Sequence, residues 1–144
     1  MEPAGYSGTP LVRKLGLKDG QAVAFVGLPD SLTHLTRAAA FRRMDLVADW
    51  RGLAAGAWDV IHLFTKSAAE VDEALPGLRA MIQPDGMIWV SWPKKASKVP
   101  TDVTEDIIRN RALADVLVDV KVCAVDEVWS GLKLVIRRAA RKGM

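Results

Sequence analysis

Three short runs constrain this chain more than any other feature. Gln21-Ala-Val-Ala-Phe-Val-Gly27, Trp58-Asp-Val-Ile-His-Leu-Phe64 and Met87-Ile-Trp-Val-Ser-Trp92 are apolar at both odd and even positions. Each is too short for a buried helix, and a strand that is apolar on both sides must be covered on both sides. Such strands belong to parallel sheets, because the crossover between parallel neighbours carries a helix that packs back onto the sheet.

The segments between the runs supply those crossovers. Thr9, Pro10 and Gly16 are placed to cap, start and end a short helix over residues 9–16. Leu28-Pro29-Asp30-Ser31 breaks the first strand and starts a helix through about residue 40, after which a second strand is expected near Met44 to Ala48, closing on Asp49. Ser67 is a cap for a helix whose Val71, Leu75, Leu78 and Ile82 form one stripe, with Pro76 predicting a kink or two abutting segments. Pro84-Asp85-Gly86 predicts a turn into the next strand, which Pro93 ends. Asp102-Val-Thr-Glu105 reads as a capping box, and Val103 with Ile107 opens an apolar helical face. From Leu117 the period changes: Val118, Val120, Val122 and Ala124 alternate with Asp119, Lys121 and Cys123, and Leu132, Leu134 and Ile136 repeat the alternation after a turn at residues 126–131. The expected fold is therefore α/β. It has a mostly parallel sheet of about six strands, a C-terminal antiparallel hairpin and helices on both faces, all in one domain of residues 1–144. Residues 1–16 form an arm and short helix, with Tyr6 packing across the sheet edge, and residues 137–144 form a basic tail.

Charge and reactive side chains exclude several functions. The formal net charge is +3, yet residues 1–72 balance eight Lys or Arg against eight Asp or Glu. Removing Arg137, Arg138, Arg141 and Lys142 leaves 16 basic against 17 acidic residues, so the excess sits in the tail, where it keeps an end strand soluble. No aromatic-rich recognition motif accompanies it, so nucleic acid is not the expected partner. Cys123, His34 and His62 are too few for a structural zinc site, and no metal is expected. The sequence has neither a signal-peptide pattern nor a membrane-spanning apolar stretch, which places the protein in the cytoplasm as an expectation. His62 sits mid-strand between Ile61 and Leu63 and reads as a buried, hydrogen-bonded imidazole, and Cys123 as an inert packing thiol. Trp89 and Trp92 point to opposite faces, both as core residues, although a Trp at a strand end such as Trp92 is also a stacking platform.

In open α/β sheets, ligands lie beyond the carboxyl ends of the parallel strands. That rule selects Gly27, Pro29, Asp30, Asp49, Thr65, Lys66, Ser67, Trp92, Lys94 and Lys95 as binding candidates. Lys94 and Lys95, facing helix starts at Ser31 and Ser67, suit a small anionic ligand or nucleotide.

The order of elements resembles the Rossmann-like class I methyltransferases that use S-adenosylmethionine. Leu15-Gly-Leu-Lys-Asp-Gly20 with Val23 to Gly27, Leu75 to Gly86 with Met87 to Val90, and the closing hairpin carry the likeness. The resemblance implies a first strand ending in an acidic residue, a loop of three alternating glycines around the cofactor's amino-acid end, and a ribose-binding carboxylate after the second strand. Here the acidic position is Phe25, only Gly27 of the glycines is present, and Pro29 and Ser31 take the other places, while Asp49 holds the carboxylate position. Nine residues separate Asp49 from Asp59, too few for the helix and strand that complete the adenine pocket. The chain is also similar to a small bacterial family of unknown function through Gly5-Tyr-Ser-Gly-Thr-Pro-Leu11, Trp89-Val-Ser-Trp-Pro-Lys-Lys95, Pro100-Thr-Asp102 and Val118 to Asp126 through Trp129-Ser-Gly-Leu-Lys133. The expected function is a non-catalytic, methyltransferase-like protein that binds a small anion or a partner and needs no cofactor. The alternatives are an S-adenosylmethionine-dependent methyltransferase with an altered cofactor loop, and an interaction module using the basic tail.

Overall fold

In the computed structural model, which describes residues 10–141, the doubly apolar runs occupy the middle of one sheet. Its strands are β1 (Ala22–Val26), β2 (Arg43–Val47), β3 (Trp58–Phe64), β4 (Ile82–Pro93), β5 (Leu117–Ala124) and β6 (Trp129–Ile136), in the order β2-β1-β3-β4-β6-β5. The first four are parallel to one another, while β6 runs antiparallel to both β4 and β5. The α/β architecture and the closing hairpin are thus as the sequence predicts.

Each face is covered by its own set of elements. On one side α1 (Leu11–Lys14) and a 3-10 helix (Asp30–Arg37) bring Leu15, Leu17, Leu32 and Leu35 against Val23, Phe25, Val60 and Trp89. On the other, α2 (Ala68–Ala80) and α3 (Glu105–Ala114) place Val71, Leu75, Leu78 and Ile108 on Ala24, Ile61, Leu63, Ile88 and Val90. A fully buried side chain of this size contributes about 1.5–3 kcal/mol, against about 0–1 kcal/mol for an exposed ion pair. The two apolar layers, not the surface Arg–carboxylate pairs, therefore hold the sheet.

Several boundaries depart from the sequence reading. Pro10 is the residue before α1 rather than its first, and Gly16, at φ 72°, closes the helix as Leu17 N–H donates to Val12 O and its own N–H to Arg13 O. The Thr9 cap and the Tyr6 packing lie outside the described residues. The first crossover is a 3-10 helix, whose Leu32 and Leu35 alone are buried. Despite Pro76, α2 is one helix, and Ile82 begins β4 instead of ending α2. Pro84-Asp85-Gly86 does not precede β4 but lies inside it: Trp58 pairs with Ile82 and Val60 with Met87, so the intervening residues form a bulge. In β5 a register shift between Asp119 and Lys121 breaks the alternation, leaving Val120 and Val122 exposed on an edge. Part of the basic tail packs back: α4 (Arg138–Arg141) follows β6, and Arg141 Nε donates to Ile136 O at 2.8 Å.

Gly27 sits where the carboxyl ends of β1 and β3 approach each other. It sits at φ 68°, its N–H donates to Val47 O at 2.9 Å, and a Cβ there would lie 2.9 Å from Phe64 O. Gly27→Ala combines a left-handed backbone with a backbone clash and should cost about 1–3 kcal/mol, measured by urea unfolding. A change under about 0.5 kcal/mol, the range of ordinary surface substitutions, would contradict this account of the junction.

Candidate functional site

Parallel pairing brings most of the candidate residues to one edge. Gly27 follows β1, Thr65-Lys66-Ser67 follows β3, and Trp92 to Lys95 ends β4 and begins the next loop. The ladder runs to that edge: Thr65 N–H donates to Ser91 O at 3.0 Å and Lys94 N–H to Val128 O at 2.7 Å. Asp49 reaches the same edge from β2, while Pro29 and Asp30 start the 3-10 helix above β1.

Most polar groups at the edge already have partners within the chain. Ser67 caps α2 as expected, its Oγ accepting from Glu70 N–H at 3.2 Å, and Thr65 Oγ1 accepts from Ser67 N–H at 3.1 Å. Asp102 does not join a capping box on α3, which Thr104 caps by accepting from Ile107 N–H. It crosses to α2 instead, where Oδ1 accepts from Ala68 N–H at 2.8 Å, while Thr101 Oγ1 donates to Lys66 O at 2.8 Å. The positive end of α2 is therefore met by an internal carboxylate, and an anion held at Lys94 and Lys95 does not draw on it. Asp102 was not legible as an α2 partner because it follows Ser67 by 35 positions and sits where a local cap also fits.

Asp49 is likewise engaged. It accepts from Arg51 N–H at 2.8 Å to cap a 3-10 turn over Trp50–Gly52, and Arg51 pairs with both Asp49 and Glu73 of α2. Trp50 lies against α2 where a Cβ on Gly77 would come within 2.7 Å of its ring. This turn is the sole helical element in the connection from Val47 to Trp58, where the resemblance implies a helix and a strand, and β2 is the sheet edge among the described residues. Among the described residues, exposed Lys66 and Lys95 and half-buried Lys94 at this edge join no ion pair. Lys98 follows at φ 61°.

Beneath the edge, the side carrying α1 is aromatic. His62 is buried, stacks on Phe64 at 4.1 Å between ring centres, and its Nε2 lies 2.6 Å from Ser91 Oγ. Trp129 meets Phe64 edge-on at 5.3 Å, and Trp89 Nε1 donates to Leu15 O at 3.0 Å. Trp92 is 8% exposed and belongs to the opposite core, so it packs in the interior and is not a stacking platform. His34, by contrast, is exposed on the 3-10 helix. Burial pushes Cys123 up, partly opposed by Lys14 and Lys121, in keeping with an inert thiol.

With this geometry in view, comparison with solved structures gives the fold. A magnesium protoporphyrin IX methyltransferase from Synechocystis PCC 6803 with bound S-adenosylmethionine superposes with a TM-score of 0.63 at 15% identity, over 88% of this chain and 74% of that one. The fold is methyltransferase-like. A putative type 11 methyltransferase from Sulfolobus solfataricus gives 0.64 at 12% identity, covering 88% of this chain and 89% of its own. TrmN from Thermus thermophilus gives 0.57 at 14%, covering 88% and 47%. No family model and no curated protein matches the sequence. Among the described residues no helix is long and apolar enough to cross a membrane, and no cluster of His, Cys, Asp and Glu is arranged to hold a metal.

Burial brings the His62 imidazole down to about 3 from 6.5. The unfolded chain therefore takes up this proton below pH 6.5 while the folded protein does not, so stability is full above 6.5 and falls as pH drops toward 3. Between pH 6.5 and about 5 the unfolding free energy should decline by up to about 1.4 kcal/mol per unit. His62→Gln should flatten that slope in urea titrations; an identical slope in the variant would assign it to other groups.

Proposed function

We propose that this chain is a binding protein built on a methyltransferase-like fold, that it does not transfer methyl groups, and that its carboxyl edge receives a small anion such as a nucleotide. The observation that carries this reading is the junction at Gly27. The glycine that the resemblance assigns to the cofactor loop is required here for contact with Phe64 O, so its bare backbone faces a neighbouring strand. Pro29 offers no N–H, and the Asp49 carboxylate is committed to Arg51. Trp50 and a single 3-10 turn stand in place of the segment that would wall an adenine ring. These residues do not fit S-adenosylmethionine in the manner the resemblance implies, and no methyl-transfer step is assigned to them. Lys66, Lys94 and Lys95 join no ion pair among the described residues and supply positive charge at the same edge, which favours an anion.

A second reading, an S-adenosylmethionine enzyme with a reworked loop, draws on the presence of Gly27 and Asp49 at matching positions and on the cofactor bound in a structural neighbour. Thermal unfolding with S-adenosylmethionine, S-adenosylhomocysteine and a nucleotide panel separates the two. A ligand at about a hundredfold excess over its Kd stabilises the native state by about 2.7 kcal/mol, a displacement of several degrees for a chain of this size. The expected result is no shift with either sulfur compound and a nucleotide-induced shift that Lys94→Ala with Lys95→Ala abolishes. A shift of several degrees with S-adenosylmethionine would establish the second reading.

A further inference from the structure

A second group of lysines lies away from the carboxyl edge, on the sheet face that carries α1. The β5–β6 register places Lys121 directly opposite Lys133, and like charges in that position destabilise a hairpin. The cluster grows as α1 docks. Lys14 is buried and its Nζ donates to Ala124 O at 3.2 Å, while Lys121 Nζ donates to Lys14 O at 3.0 Å. Lys18 follows two residues after Gly16, and both it and Lys121 act electrostatically on Lys133, whose ammonium is held below its ordinary range first by burial and then by these two neighbours. Lys18, Lys121 and Lys133 take part in none of the ion pairs among the described residues.

The geometry around them supplies a place for the rest of a ligand. A groove of about 350 Å³ runs beside α1, lined by Pro10, Val12, Arg13, Gly16, Leu17 and Lys18. That volume lies in the range of small-molecule clefts, and its walls combine apolar surface with two cations. Lys18 belongs to both the groove and the lysine group. We propose that Lys18, Lys121 and Lys133 bind the phosphate of a small molecule whose less polar part rests in this groove. A phosphate between the ammonium groups converts mutual repulsion into charge-assisted hydrogen bonds, and each ammonium has three N–H donors, so Lys121 retains two after bonding Lys14 O. The site is separate from the carboxyl edge: Gly16 abuts Met87, early in the paired part of β4, whereas Lys94 lies beyond its far end.

Inorganic pyrophosphate is the probe, read by calorimetric titration and thermal unfolding of the full chain. The wild type is expected to bind it and unfold at a higher temperature in its presence. Lys133→Met removes one member of the like-charged pair, so its unliganded midpoint should equal or exceed the wild type's while its affinity for pyrophosphate falls at least about tenfold. Lys18→Gln, at an exposed position, should weaken binding by a similar factor. Lys94→Ala with Lys95→Ala removes any pyrophosphate held at the carboxyl edge, and the binding that persists in that variant should fall at least about tenfold when Lys133→Met is added, which separates this site from the carboxyl-edge reading. Equal affinity in wild type and Lys133→Met would overturn the proposal. A lowered midpoint of unliganded Lys133→Met, which would mark Lys133 as a structural residue, would do the same. So would binding of a single-stranded oligonucleotide without binding of pyrophosphate, since that points to a polynucleotide groove.

Discussion

Covering both faces of β1, β3 and β4 is the constraint on which the rest of the molecule depends. Strands this apolar are stable only between two layers, and a chain of 144 residues has little length to build them. The economy falls unevenly. One face receives α2 and α3, while the other is closed by α1, a 3-10 helix and the large side chains of Phe25, Trp89 and Trp129. Among the described residues no strand lies beyond β2, and Trp50 fills space against α2.

That economy shapes the carboxyl edge. Where longer crossovers would leave backbone groups open to a ligand, here the chain satisfies them itself. Asp102 meets the start of α2, Asp49 is tied to Arg51 and Arg51 to Glu73, and Thr101 anchors the loop after β4 to Lys66. A backbone donor already bonded to a carboxylate of the same chain must give up that partner before it takes an external anion, so it adds little to anion binding. The lysines are treated differently. Lys66, Lys94 and Lys95 at the carboxyl edge and Lys18, Lys121 and Lys133 beside α1 join no ion pair among the described residues, and the β5–β6 register sets Lys121 opposite Lys133. Net positive charge is therefore concentrated in two places on a body whose overall balance outside the tail is close to neutral.

Much of this was legible in the residues. The doubly apolar runs located β1 and β3 within a residue and the end of β4 likewise, though β4 begins five residues before Met87; Ser67 identified the start of α2, and the alternation through Leu132, Leu134 and Ile136 identified β6. His62 as a buried, bonded imidazole followed from its apolar neighbours, and Ser91 proved to be its partner. The readings that failed share a cause. Pro84-Asp85-Gly86 has turn chemistry, but the pairing of Trp58 with Ile82 carries the strand through it as a bulge. The alternation of β5 fails where the register slips beside Lys121, and Asp102 caps a helix remote in sequence.

Local chemistry and period, which depend only on near neighbours along the chain, determined that this protein has a parallel core, where its strands lie and how the hairpin closes it. Only the tertiary structure decided which polar groups remain available. A hydrogen-bond donor or a charge is consumed by whichever group the folded chain brings beside it, and that group can be 34 or 107 residues distant as well as three.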